Sequence, residues 1–338
     1  MSDKKTYDCR KGKEISVLDN DGNIKAGEWS EKQIDDKSEL SIGYKKNPEV
    51  EPISFSQDEY QHLHHLCVVG PSGSGKTTLV DNLSKQLDGT VVKMVSSEKD
   101  LTGEPDFVVS GLSDFKWDRE YLSKDGMAEM IREAIGKVNR GRPASQNTIE
   151  NHIDDIFNSE FSKFLDNLQE ESLVRSLKDL LDYNDRKDSD EENREALSDV
   201  IEGGKTNEIL IENDYLIEFA VSVVAKYRDK FEGQLYLVED ELEDDIMASR
   251  AALYRSRDIS IICCVRSIED DEIKVNFQSF ITFRSTNNKD ADFFSQIFED
   301  YGRQDLFNLD NYEFMSKISL RSDRRTYSGY SYPPVDEK

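Results

Sequence analysis

Short apolar runs that end in glycine or acid alternate along this chain with stretches of helical spacing. Residues 14–18 and 24–29 flank residues 19–23, whose Asp-Gly step predicts a β-hairpin. Residues 63–70 read as a buried strand ending in glycine, and 76–87 as a helix. The β-branched runs 90–95 and 107–110 continue the alternation, which is the pattern of an α/β fold with a mainly parallel sheet. From about 121 to 208 the period changes. Ile149, Ile153, Ile156, Phe157, Phe161, Phe164, Leu165 and Leu168 recur at helical spacing, and Leu173, Val174, Leu177, Leu180 and Leu181 extend the stripe. Residues 182–194 are a charge-rich loop. A further helix is expected over 213–230, with Leu216, Phe219, Ala220, Val223 and Tyr227 on one face, then strands over 234–238, 259–265 and 280–283.

These elements suggest five segments: a β-rich amino-terminal region (1–55), the first half of an α/β domain (56–120), an acidic helical insertion (121–208), the second half (209–310) and a tail (311–338). The amino terminus is charged from its third residue, and no apolar run approaches the ~20 residues of a membrane helix, so a cytoplasmic or virion-associated chain with no membrane span is expected. Cys9, Cys67, Cys263 and Cys264 show no metal or disulfide spacing and read as packing thiols. Asp and Glu number 70 against 44 Lys and Arg, a formal net charge of −26. A broadly basic nucleic-acid-binding surface is thereby excluded. Any contact with a polyanion must be confined to a local patch or to a channel formed on assembly.

Gly70-Pro71-Ser72-Gly73-Ser74-Gly75-Lys76-Thr77 fits G-x-x-x-x-G-K-[ST] in full, follows an apolar strand and precedes a helix, which is the context that confirms a phosphate-binding loop. Glycines let the backbone N–H groups turn inward, and the helix start adds partial positive charge. Lys76 would reach the β- and γ-phosphates of ATP, the Thr77 hydroxyl would bind Mg²⁺, and Thr78 completes the set. Gly203-Gly204-Lys205-Thr206 shares the last letters only. It has Asp199 where the first glycine belongs and no buried strand before it, so it reads as a loop. The apolar run 235–238 ends in Glu239-Asp240-Glu241, as a Walker B strand does when it supplies a carboxylate to the metal shell and a second to activate water. Two registers are open, Glu239 with Asp240 or Asp240 with Glu241. Asp240 takes part in either.

In order and spacing, several segments resemble the HerA and FtsK superfamily of DNA-translocating P-loop ATPases. These are Ile42-Gly43, residues 52–55, a histidine cluster and the phosphate loop, then residues 255–262, which resemble the arginine-containing segment leading into the sensor strand. Asn276, residues 280–284 and residues 287–290 resemble the stretch after the sensor strand in viral genome-packaging members, the poxvirus-type ATPases among them. The resemblance covers residues 40–95 and 213–300. It implies a RecA/FtsK-like three-layer P-loop NTPase sandwich that hydrolyses ATP with Mg²⁺ and moves double-stranded DNA through the pore of a homo-oligomeric ring. A hexamer and a capsid or vertex partner are expected from the family. It also points to Arg266 or Arg255 as the γ-phosphate sensor. Where family members commonly carry glutamine at the end of the sensor strand, this chain has Arg266, which can stabilise the transition state in cis or pair with Asp240. The additional Glu239 and the size of the helical insertion are further departures.

Other residues carry less. The spacing of His62, His64 and His65 suits strand-edge packing or nucleotide-pocket contacts rather than a closed zinc site. Arg250, Arg255 and Arg257 read as surface ion-pair partners or, for one of them, an arginine finger. The arginine- and tyrosine-rich stretch 321–332 reads first as a flexible terminus and second as a segment for nucleic acid or a docking partner. Two rival functions stand beside the motor. The loop also resembles that of guanylate kinase and related small-molecule kinases, and a nucleotide-binding scaffold with weak hydrolysis fits the unusual Arg266.

Overall fold

The computed structural model of the chain describes residues 15–18, 24–27, 39–45, 52–56, 59, 65–101, 103–111, 114–115, 123–138, 146–156, 196–212, 216–240, 251, 253–268, 271–298, 301–320 and 324–331. The chain divides into two compact units, Met1–Val91 with Gly233–Lys338, and Val92–Glu232.

In the first unit, β1 (Ile15–Leu18) and β2 (Ile24–Gly27) pair antiparallel with Leu18 opposite Ile24, as the Asp-Gly step predicts. The main sheet runs β4 (Pro52–Ser56), β3 (Glu39–Lys45), β13 (Arg324–Tyr330), β12 (Glu313–Ser319), β11 (Ser279–Thr282), β5 (His65–Val69), β10 (Ile259–Val265), β9 (Gln234–Asp240). Its centre is parallel: β11 with β5, β5 with β10, and β10 with β9. The four pairings from β11 out to β4 are antiparallel. The sheet is mixed and, as the sequence pattern predicts, parallel through its centre. The strands beyond β11 come from the two ends of the chain, and β3 with β4 and β12 with β13 are joined by short connections that need no crossover helix.

Helix α1 (Lys76–Gln86) lays Leu79, Val80 and Leu83 on Leu66, Val68, Ile262, Ile281, Tyr236 and Val238, the alternate residues of the four central strands. Gln86 fastens the helix to β3, accepting from the Ser41 N–H at 2.8 Å and donating to the Ser41 carbonyl at 3.0 Å. On the opposite face Phe280 packs edge-on against Phe293 and Phe294 of α7 (Asn288–Ile297). Helices on both faces make the α/β sandwich. The short helices α6 (Asp271–Asn276) and α8 (Arg303–Phe307) complete this unit. The stretch 324–330, expected as part of a free tail, is a strand paired along its length with β12 and at its end with β3.

The second unit holds strand order β6 (Gly89–Val95), β8 (Thr206–Ile211), β7 (Phe107–Val109), the unit boundary falling within β6. Its helices are α2 (Lys124–Val138), α3 (Gln146–Ile156), α4 (Leu197–Val200) and α5 (Ile217–Lys226). Met127, Ile131 and Ile135 of α2 and Ile149, Ile153 and Ile156 of α3 are all buried, the pattern of two amphipathic helices packed together. The stripe from Phe157 to Leu181 lies outside the described residues. Lys93, fully buried on β6, donates to the Asp100 carbonyl at 2.7 Å and to Glu208 Oε1 at 3.1 Å. Strand β8 falls where the sequence pattern ends a helical insertion. A turn through Gly204 at φ 73° starts it, so Lys205-Thr206 leads into a strand rather than a helix. Among the described residues no helix is long and apolar enough to cross a membrane.

Candidate functional site

The phosphate loop is built at the carboxyl end of β5, every residue of which is buried. The chain leaves the sheet at Gly70, whose N–H donates to the Val265 carbonyl at 3.1 Å, and Ser74 N–H closes the loop by donating to the Pro71 carbonyl at 3.2 Å. Gly73 has φ 75° and Gly75 φ 104°, left-handed conformations that side chains with a Cβ resist. Gly75 caps α1, its carbonyl accepting the first helical bond from Leu79 N–H at 2.9 Å. Lys76 is the first helical residue and is buried, its Nζ 3.2 Å from the Pro71 carbonyl. Thr77 and Thr78 are half-buried in the same turn, while Ser72 and Gly73 are exposed at the loop's crest. The loop thus joins a buried strand to a helix start, with a buried lysine beside it.

Glu239 and Asp240 lie at the same edge of the sheet. Strand β10 separates β5 from β9, and the registers place Val69 level with Val265, and Cys67 level with Cys263 and Glu239. Asp240 pairs with Cys264 and ends β9. Two strand spacings, about 10 Å, therefore divide the phosphate-loop strand from the acidic one. Glu239 is buried, with 4% of its surface exposed. Glu241 and Arg250 lie outside the described residues. Three residues before Glu239 on β9, Tyr236 is wholly buried, and burial, with Asp88 as a lesser cause, raises its phenol well above the usual value.

Arg266 follows Val265 directly and is exposed at the phosphate-loop edge. Its loop is pinned: Asp290 Oδ1 accepts from Ser267 Oγ at 3.1 Å and from the Ile268 N–H at 3.0 Å, and Asp290 Oδ2 accepts from Asn287 Nδ2 at 2.8 Å. Asn287 in turn caps α7, accepting from Asp290 N–H at 2.8 Å. The family resemblance includes residues 287–290 without this role. The signal available in the sequence was an Asn-x-x-Asp step before a helical stretch.

Arg255 is placed elsewhere. It precedes β10, and a seven-residue strand puts about 20 Å between the two ends of that element. Its guanidinium donates to the Asn276 carbonyl at 2.9 Å and faces Gln278, beside the start of β11. Arg255 thus braces the opposite edge of the sheet from the phosphate loop of its own chain. Arg257 is likewise in the turn before β10, exposed. Of the histidines, His62 and His64 lie outside the described residues, and His65 is structural. Its Nδ1 accepts from the Ile261 N–H at 3.2 Å, so Nε2 carries the proton toward the Ala251 carbonyl at 2.7 Å. Cys67, Cys263 and Cys264 are buried free thiols.

No protein-family model and no curated protein matches the chain. Solved structures do. The bacterial conjugative coupling protein TrwB, in an unbound form, is similar over 82% of this chain and 87% of its own, at 13% identity and a TM-score of 0.51. The plasmid coupling protein TrwB in complex with ADP and Mg²⁺ is similar over 84% and 88%, at 15% identity and a TM-score of 0.51. The genome packaging NTPase B204 from Sulfolobus turreted icosahedral virus 2, in complex with AMP, aligns over 79% of this chain and 98% of its own, at 11% identity and a TM-score of 0.41. At such identities the likeness to TrwB is one of fold, and it is the kind of fold that the resemblance read from the sequence implies.

Proposed function

We propose that the chain is a magnesium-dependent ATPase that drives movement of double-stranded DNA, most specifically the loading of a viral genome into a capsid. The observation that carries the nucleotide part is the phosphate loop from Gly70 to Thr78, fully formed between a buried strand and a helix, with an acidic strand end two strands away on the same edge. The complex of TrwB with ADP and Mg²⁺ supports the same ligands here.

Each residue has a task. The loop N–H groups hold phosphate oxygens, and Lys76 adds charge-assisted hydrogen bonds to the β- and γ-phosphates. The Thr77 hydroxyl and the carboxylate of Asp240, with Glu239 or Glu241, are hard oxygen donors, few in number, which suits an ion that prefers to keep waters and substrate phosphates in its shell. Bound there, magnesium would offset phosphate charge. The second carboxylate accepts the proton of the attacking water. Arg266, exposed at the same edge, is the chain's own γ-phosphate sensor. Arg255, which precedes β10 at the other end of that strand, is given no part in it within its own chain.

The DNA part rests on the order and spacing of the segments that resemble HerA and FtsK proteins, and on the fold shared with TrwB. In a chain of net charge −26, duplex DNA would meet only pore loops of a ring, a hexamer on the family pattern, with a capsid or vertex protein docking it in the host cytoplasm or the virion. The test is phosphate release with and without duplex DNA, beside a Lys76→Ala control. Stimulation by DNA that the control lacks is the expected result. Turnover only with a nucleotide acceptor would instead make it a kinase, and tight binding with negligible turnover a scaffold.

A further inference from the structure

Resting on the nucleotide reading of the phosphate loop, we infer that Tyr312 is the platform for the nucleobase. Among the described residues, Asp258 and Tyr312 are the non-glycine residues with positive φ. Asp258 is of a type that takes this conformation readily, and it sits in a turn. Tyr312, at φ 64°, is not such a residue, although Asn311 beside it would be.

Three hydrogen bonds hold the conformation. Glu313 N–H donates to the Asp310 carbonyl at 3.1 Å, the Glu313 carboxylate accepts from Asp310 N–H at 2.9 Å, and the Tyr312 carbonyl accepts from Ser331 N–H at 2.9 Å. Strain fixed by its surroundings in this way is characteristic of ligand clamps. What the turn presents is a large ring that stays 42% exposed. It stands directly against the phosphate loop: a Cβ added at Gly75 would lie 2.8 Å from Tyr312 Cδ1.

The sheet gives the direction. Strand β12 begins just after Tyr312 and pairs with β11, which pairs with β5. Tyr312 is therefore two strands from the phosphate-loop strand on one side, and Glu239 is two strands away on the other. A triphosphate whose γ end points toward the acids must send its other end toward β11 and β12. An exposed aromatic ring beside the loop's last glycine is what a planar base would stack upon.

The test is equilibrium binding of a non-hydrolysable ATP analogue and of inorganic tripolyphosphate, each with Mg²⁺, to the full chain and its Tyr312→Gly, Tyr312→Phe and Lys76→Ala variants, with thermal unfolding of each. We expect Tyr312→Gly to weaken the ATP analogue about 10-fold, on the scale of one base–aromatic stack. Tripolyphosphate binding should be unchanged, the phenylalanine variant should retain both, and glycine, at ease with φ 64°, should not lower the unfolding temperature. Lys76→Ala should weaken both probes. Equal loss of both probes in Tyr312→Gly, with a lower unfolding temperature, would make the ring a buttress of the loop and overturn the proposal. So would unchanged binding of the analogue. A wild type that binds neither probe overturns the phosphate-loop reading and this proposal with it, whereas a wild type that binds both equally tightly overturns the proposal alone.

Discussion

Lys76 Nζ lies 3.2 Å from the carbonyl oxygen of Pro71, so the ammonium spans the loop it closes and is held at its mouth. In the proposed nucleotide site, a buried cation at that point would meet the phosphate oxygens. Replacing it with alanine removes the charge-assisted bonds, each worth about 1.5–3 kcal/mol. Lys76→Ala should therefore weaken ATP binding between about 10-fold and 150-fold and bring phosphate release to background. Titration calorimetry beside a phosphate-release assay measures both effects.

Glu239 is buried at the end of β9. Glu239→Gln keeps the shape of the side chain and removes its basicity, so turnover should fall at least about 100-fold if this carboxylate takes the water's proton. Asp240→Asn should lose turnover in either register. If Glu241→Gln is the variant that loses turnover and Glu239→Gln keeps it, the register is Asp240 with Glu241.

Asp290 holds the loop after the sensor strand by accepting from Ser267, Ile268 and Asn287. Asp290→Ala would leave the buried Ile268 N–H and two polar side chains without that acceptor, at about 1–3 kcal/mol for each buried group left unsatisfied. The expected outcome is a lower urea midpoint and a reduced kcat with little change in ATP affinity, because Arg266 loses its footing while the phosphate loop keeps its own. Parallel loss of ATP affinity would show that the two loops are not separable.

The glycine loop between β5 and α1, the α1 stripe and the central strands were legible because each is local: a fixed motif, a 3.6 period, an uninterrupted apolar run. Leu79, Val80 and Leu83 announce their face without any partner. What was not legible depends on pairing between distant segments. Arg324–Tyr330 has no aliphatic run to mark it as a strand and resembles a tail until β12 and β3 accept it as one. Arg255 lies four residues before β10, and its distance from the phosphate loop is set only by the strand's direction. Tyr312 carries no motif at all, since its significance is a dihedral angle and a neighbour, Gly75, far away in sequence.

Lys93 and Glu208 test the second unit. Their 3.1 Å bridge is buried at the lysine end, which also donates to Asp100. Removing one partner of such a pair leaves a charge without compensation, at about 3–5 kcal/mol. Lys93→Met should lower the urea midpoint accordingly, and Lys93→Met with Glu208→Gln should recover much of the loss. A double variant no more stable than the single one would show that the carbonyl of Asp100, not the carboxylate, is the partner that matters.

Tyr236 sets the alkaline limit. Its hydroxyl is buried with no hydrogen-bond partner among the described residues, and burial first, then the nearby Asp88, holds the proton on the phenol far above its usual value of about 10. Below that value folded and unfolded chains both keep the proton, and this group adds no pH dependence. Above it the unfolded chain releases the proton while the folded chain retains it. The unfolded state then binds fewer protons, so stability falls as pH rises, by up to about 1.4 kcal/mol for each pH unit. Tyr236→Phe removes both the buried hydroxyl and the titration. At neutral pH the variant should be as stable as wild type or more so, and above about pH 10 its margin over wild type should widen with each increment of pH. Urea midpoints measured at neutral pH and on either side of about pH 10 check this, and a constant margin across the series would mean that the phenol is ionised as easily in the folded chain as in the unfolded one.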